Sequence, residues 1–205
     1  MWIGLCGRSG SGKGYVSSIF AELGIPSIDT DAVYRRLSGP SETVSDCMKE
    51  LALTFGDQIL NPDHSLNRRA MRDIVFAPDG EEARKSLNRI THFHILRETR
   101  LLAQRYAEDG HRLVLIDAPL LFESGFDRMC RSTVCVTAPD AVCVERIMNR
   151  DGVTEEEACR RLSAQIRAEE LIRRCDHVII NDGNAPVRAQ VERVIRAIQC
   201  DGGKL

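Results

Sequence analysis

Seven residues near the start of the chain, Gly7-Arg8-Ser9-Gly10-Ser11-Gly12-Lys13, have the types and spacing of a phosphate-binding turn. Glycines let the backbone N–H groups of such a turn curl around phosphate oxygens, and a helix opening at its end adds the positive pole of its dipole. Lys13 would then act as a mobile point charge on the β- and γ-phosphates. The position after the lysine usually carries a Ser or Thr whose hydroxyl binds Mg²⁺; here it is Gly14, followed by Tyr15. Direct ligation of the metal by this turn is therefore not expected.

Carboxylates follow two apolar runs: Asp29 and Asp31 after Ile25–Ile28, and Asp117 after Leu113–Ile116. In an open parallel sheet, ligands gather beyond the carboxyl ends of the strands. A carboxylate placed there accepts the proton of an attacking hydroxyl or holds a water of the Mg²⁺ shell. Mg²⁺ is accordingly expected to travel with ATP, with Asp31 or Asp117 reaching it through water. Other uses of the same residues stand beside these: Asp29 or Thr30 suits a helix N-cap, and Asp117 suits a turn before Pro119.

The elements that must position these groups read as an α/β alternation. A buried strand, Trp2–Cys6, leads into the glycine turn, and a helix with Val16, Ile19, Phe20 and Leu23 on one stripe ends at Gly24. A short strand follows at Ile25–Ile28. From Ala32 to about Asp109 the pattern is helical, broken at Ser38-Gly39-Pro40, Phe55-Gly56, Asn61-Pro62-Asp63 and Pro78-Asp79-Gly80. Further strands are predicted at Leu113–Ile116, Thr133–Val136 and Val178–Ile180, with a charged helical stretch before the last. A final amphipathic helix carries Val187, Val191, Val194, Ile195 and Ile198, and Cys200–Leu205 is expected to fray. Apolar strands alternating with helices predict a parallel sheet covered on both faces.

Bulk composition narrows the function classes. The chain has 205 residues, 43% hydrophobic and 28% charged, and a net charge of −2, so no general basic field recruits nucleic acid. No apolar run approaches the roughly 20 residues that span a bilayer, and the first residues do not read as an export signal; a cytoplasmic protein is expected. Its eight cysteines are scattered with no two-residue spacing, which predicts reduced, structural thiols. Of 28 basic residues only Lys13, Lys49, Lys85 and Lys204 are lysine. The arginines supply planar forks that suit phosphate.

Six segments in order resemble the dephospho-coenzyme A kinase family, over roughly residues 3 to 199. They are the glycine turn with Ile28-Asp29-Thr30-Asp31; Phe55-Gly56, Leu66-Asn67-Arg68 and Ile74-Val75-Phe76; His92-Phe93-His94-Ile95; Asp117 through Gly125; Arg146 through Thr154 with Arg161–Gln165; and Asp176 through Gly183. Two departures are visible: Asn67 stands where the family usually has Asp, and Phe93 where it has Pro, which predicts an unkinked helix.

The resemblance implies transfer of the γ-phosphoryl group of ATP to the ribose 3′-hydroxyl of dephospho-CoA. It implies a three-layer P-loop kinase fold with a five-stranded parallel sheet, forming a single domain. The core would take in about residues 1–31, 110–140 and 176–200, a helical CoA-binding region about 32–109, and a mobile lid about 141–175. The catalytic set it implies is Asp31 as base with Lys13, Arg146 and Arg150. Nucleotide contacts would come from Gly10, Ser11, Gly12, Lys13, Gly14, Tyr15, Arg161 and Asn181. Substrate contacts would come from Asp31, Arg68, His92, Asp117, Leu120 and Glu123. ATP and dephospho-CoA are the expected partners, with neither nucleic acid nor membrane.

Within this lid segment Thr154 as N-cap with Glu157 three residues on predicts a capping box, and the four-residue spacing places Arg161 and Gln165 on one helix face. Arginines there would stabilise charge on the transferring group. His92 and His94, two apart on a helix, point to different sides and are not expected to share a metal. The competing readings are a nucleoside or nucleoside-monophosphate kinase and a non-catalytic nucleotide sensor, the latter motivated by Gly14 and Tyr15.

Overall fold

A computed structural model describes residues 1–201. Residues 202–205, most of the tail expected to fray, lie outside the described residues. The chain forms two compact units: one holds Met1–Ser27 and the chain from Tyr106 onward, the other Ile28–Arg105.

The first unit is built on the sheet. Strand β1, Trp2–Gly7, feeds α1, Lys13–Glu22. Strand β2, Ser27–Asp29, falls on the boundary between the units. The second unit contributes α2, Thr30–Ser38, α3, Asp46–Phe55, α4, Arg68–Val75, and α5, Glu81–Glu108. The chain then returns through β3, Val114–Asp117, and β4, Ser132–Thr137. Helices α6, Asp140–Asp151, α7, Glu155–Ser163, and α8, Ala168–Arg174, precede β5, His177–Ile180, and α9, Val187–Asp201.

The strand order is β2-β3-β1-β4-β5, and β1 pairs in parallel with both β3 and β4, as β4 does with β5. Strand β2 is shorter and later than the apolar run suggests, because Pro26 cannot donate to the ladder, although its carbonyl accepts from Leu115 N–H (2.8 Å).

The two faces of the sheet differ in chemistry, and the period of two along each strand sorts them. Ile3 and Leu5 of β1, Leu115 of β3, Val134 and Val136 of β4 and Ile179 of β5 join one apolar cluster with Val16, Ile19 and Phe20 of α1 and Val191, Val194 and Ile198 of α9. The alternate positions of β1, Gly4 and Cys6, face the other way. A Cβ on Gly4 would press on Leu121 and Cys130, so this face of β1 packs against the segment after β3. A separate small core of Ala138, Cys143, Ile147, Ala158 and Leu162 joins α6 to α7.

Strand β5 is an edge, and its exposed ladder groups are occupied by a side chain. Gln190 of α9 accepts from Ile180 N–H (2.9 Å) and donates to Ile180 C=O (2.8 Å), standing in for a neighbouring strand. At the start of β5, the Asp176 carboxylate accepts from Thr133 N–H (2.7 Å) and Thr133 Oγ1 (2.9 Å), fixing the turn to β4.

In the second unit, Asp29 caps α2 by accepting from Asp31 and Ala32 N–H, Ser45 caps α3, and Asn67 caps α4. Helix α5 runs unbroken for 28 residues through Phe93, as the missing proline predicts. No helix among the described residues is long and apolar enough to cross a membrane.

Replacing Asp176 by Ala strips Thr133 of its acceptor in a half-buried turn, which should cost about 1–3 kcal/mol. Urea unfolding followed by circular dichroism should show a lower midpoint at unchanged slope; an unaltered midpoint would mean this carboxylate does not hold β5.

Candidate active site

The glycine turn occupies Gly7 to Gly12, between β1 and α1, and needs backbone that only glycine adopts readily: Gly10 and Gly12 have φ of 78° and 85°. Crowding adds to this at Gly7, where a Cβ would stand 2.6 Å from Val136 O. Helix α1 opens at Lys13 with no side-chain cap and no acidic residue in its first turn, leaving its orphan N–H groups and dipole to an incoming anion.

The turn's carbonyls are held by donors from other elements. Arg146 of α6 directs Nη1 at the carbonyls of Gly10 (3.2 Å), Ser11 (3.4 Å) and Asn181 (3.0 Å). Asn181, buried at the end of β5, donates Nδ2 to Ser11 C=O (2.9 Å). Arg8 donates to Asp140 Oδ1 (2.7 Å) and to Leu162 C=O (3.1 Å), tying the turn to the starts of α6 and the end of α7.

Lys13 forms an ion pair with Asp117, the last residue of β3, and both side chains are mostly buried. In β1 the residue in register with Asp117 is Leu5, so β3 delivers its carboxylate beside the turn that leaves β1. A phosphate reaching Lys13 must share it with Asp117 or displace it. Tyr15 is 57% exposed, and Leu120 and Glu123 are exposed in the turns after Asp117.

At the start of α7, Thr154 Oγ1 accepts from Glu157 N–H (3.3 Å) as the capping pattern predicts. Glu157 turns its carboxylate to Arg161 instead of back to the cap. Arg161 also pairs with Asp151 (3.0 Å), and Arg150 pairs with Asp151 (2.7 Å) and reaches Ser9 Oγ (3.3 Å). Arg150 holds the Asp151 carboxyl below the usual range. This pairing is complete at neutral pH and is lost only as pH falls through that depressed value. Helix α7 stops at Ser163, so Gln165 does not share its face with Arg161, contrary to the sequence expectation. Gln165 lies beyond the end of the helix and accepts from Ser9 N–H (2.9 Å).

A cavity of about 480 Å³ opens beside Arg8 and Asp140, lined also by Leu162, Ser163 and Gln165. Lys13, Asp117 and Asn181 are not in its wall.

Asp31, Arg68 and His92 lie in the second unit. Asp29 is the cap of α2 and pairs with Arg35 (3.3 Å), while Asp31 is exposed on the first turn. Arg68 opens α4 and is exposed; His92 is half-buried in α5. His94 is buried, with Nε2 2.8 Å from Glu50 Oε2.

Sequence reasoning missed the contacts of Arg8, Gln165 and Ser9, and the turn-bracing contacts of Arg146. A donor to a distant carbonyl leaves no spacing signature, although an arginine inside the glycine turn was a visible hint.

The family profile described as dephospho-CoA kinase matches residues 1–187. A protein named dephospho-CoA kinase from Symbiobacterium thermophilum is 37% identical over 201 residues, 98% of this chain and 82% of that protein. Among solved structures, TT1252 from Thermus thermophilus superposes with a TM-score of 0.74 at 30% identity, covering 98% of this chain and 97% of that one. A dephospho-CoA kinase from Campylobacter jejuni gives a TM-score of 0.65 at 26% identity, covering 98% of each chain. The chain belongs to the dephospho-CoA kinase family.

Proposed function

We propose that this chain transfers the γ-phosphoryl group of ATP to the ribose 3′-hydroxyl of dephospho-CoA, giving CoA and ADP, the last step of coenzyme A synthesis. The observation that carries this reading, beside family membership, is the Lys13–Asp117 pair at the mouth of a glycine turn whose carbonyls are bound from behind by Arg146 and Asn181.

The triphosphate sits in the turn, against the N–H groups of Gly10, Gly12, Lys13 and Gly14 and the dipole of α1, and Lys13 turns from Asp117 to the β- and γ-oxygens. Asp31 accepts the proton of the 3′-hydroxyl as its oxygen attacks the γ-phosphorus. The bond from that phosphorus to the β–γ bridging oxygen breaks, and ADP leaves.

Arg146 is a positioning residue, because its contacts are to loop carbonyls. Arg150 and Arg161 supply cationic donors by exchanging Asp151 and Glu157 for phosphate oxygens. Tyr15 and Asn181 complete the nucleotide side. Arg68, His92, Leu120 and Glu123 serve dephospho-CoA; the helical unit is its platform and residues 141–175 the lid.

Mg²⁺ suits the oxygen donors of this site. Asp117 lies at the loop lysine, and a Cβ on Gly14 would meet nothing within 4 Å, so the usual hydroxyl is missing by sequence and not by crowding. Asp117 or Asp31 would hold Mg²⁺ through water, and the ion bound with ATP would supply positive charge to offset the phosphates. The eight free thiols favour a reducing, cytoplasmic setting.

Lys13→Ala should lower kcat/KM by about 10²–10⁴ in an ADP-release assay with Mg²⁺-ATP and dephospho-CoA, and an unchanged value would remove the lysine from the mechanism. Gly12→Ala places a methyl against the Asn181 amide on a left-handed backbone. ATP affinity should drop at least about tenfold by calorimetry, and retained affinity would show that the turn is not the triphosphate site. With AMP, dAMP and uridine beside dephospho-CoA as acceptors, only dephospho-CoA should support rapid turnover. Faster phosphorylation of AMP would favour a nucleoside-monophosphate kinase.

A further inference from the structure

Three cysteines far apart in sequence meet on the face of the sheet opposite α1 and α9. Cys6 and Cys135 are partners in the parallel register of β1 and β4, so their side chains leave neighbouring strands on the same side. Cys175 ends α8 just before β5, in the turn that the Asp176 carboxylate fastens to Thr133. The three Sγ atoms lie within 4.8 Å of one another, with Cys6 and Cys175 3.5 Å apart. Cys6 and Cys135 are fully buried, and Cys175 is half-buried, which leaves one side open for entry.

We propose that Cys6, Cys135 and Cys175 form a binding site for a single thiophilic monovalent ion, copper(I). Three sulfurs about 2.3 Å from one ion in a trigonal plane stand about 4 Å apart, which is the spacing these thiols already have within small side-chain adjustments. A disulfide would need about 2.05 Å between two sulfurs and Cβ atoms about 3.5–4.5 Å apart. Cys6 and Cys135, in-register neighbours on strands about 4.8 Å apart, do not reach that without moving the sheet.

The donor set decides between ions. No imidazole or carboxylate joins the group among the described residues, and one Asp176 oxygen is engaged by Ser132 and Thr133. Zinc takes a fourth ligand in structural sites, whereas a set of three soft sulfurs suits copper(I). Binding releases thiol protons to solvent and changes no oxidation state. The ion links β1, one residue before the glycine turn, to β4 and to the start of β5.

The test uses the full chain, reduced and handled without oxygen, loaded with copper(I) against a chromophoric copper(I) chelator. One ion per chain should be retained, X-ray absorption should fit three sulfur neighbours, and the thermal midpoint should rise with added copper(I). Cys175→Ser and Cys135→Ala should each weaken retention at least tenfold, while Cys159→Ser, on the exposed side of α7, should match the parent. Equal loss in Cys159→Ser, fewer than three sulfurs, or displacement by equimolar zinc would overturn the proposal. Should either cluster variant fail to fold, the sulfur count on the parent chain still decides.

Discussion

A loop that offers its amide hydrogens to an anion must dispose of its carbonyl oxygens elsewhere, and this constraint organises the site. Buried carbonyls without donors cost free energy comparable to a lost hydrogen bond. Here the donors are Arg146 and Asn181, brought from α6 and the end of β5 to the carbonyls of Gly10 and Ser11. Two elements from the second half of the chain therefore maintain the shape of a turn formed by its first residues. Arg8 and Gln165 extend the same bracing to α6 and the end of α7 through Asp140, Leu162 and Ser9.

The parallel sheet makes this possible by aligning strand ends. Strand β1 lies between β3 and β4, so the residues leaving all three emerge on one edge: the glycine turn, Asp117 and the approach to α6. One face is an aliphatic core with α1 and α9, which anchors the helix that carries Lys13. The other face holds small residues and thiols, Gly4, Cys6 and Cys135, where close packing takes the place of bulk.

Much of this was legible in the sequence because it depends on local rules. The strand, glycine turn and helix at the start, the cap at Thr154, the breaks at Gly39, Gly56 and Pro78, and the uninterrupted α5 all follow from backbone propensity and periodicity. Asp29 was open between cap and catalytic group, and the structure shows it as a cap. What the sequence hid depends on long-range register. Cys6, Cys135 and Cys175 look scattered because their meeting requires knowing that β1 pairs with β4 and β4 with β5. Arg146 was expected to be catalytic; its Nη1 meets the carbonyls of Gly10 and Ser11, 136 and 135 positions away, and of Asn181, 35 positions away, contacts that no spacing announces.

In the proposed reaction the amides at the start of α1 enclose the triphosphate. An isotope-edited proton–nitrogen NMR titration with Mg²⁺-ATP reads those amides directly. Large shifts at Gly10, Gly12, Lys13 and Gly14, with slowed exchange of their hydrogens, are the expected result. Nucleotide binding that moves the resonances of α6 and α7 while leaving these four amides unchanged would contradict it.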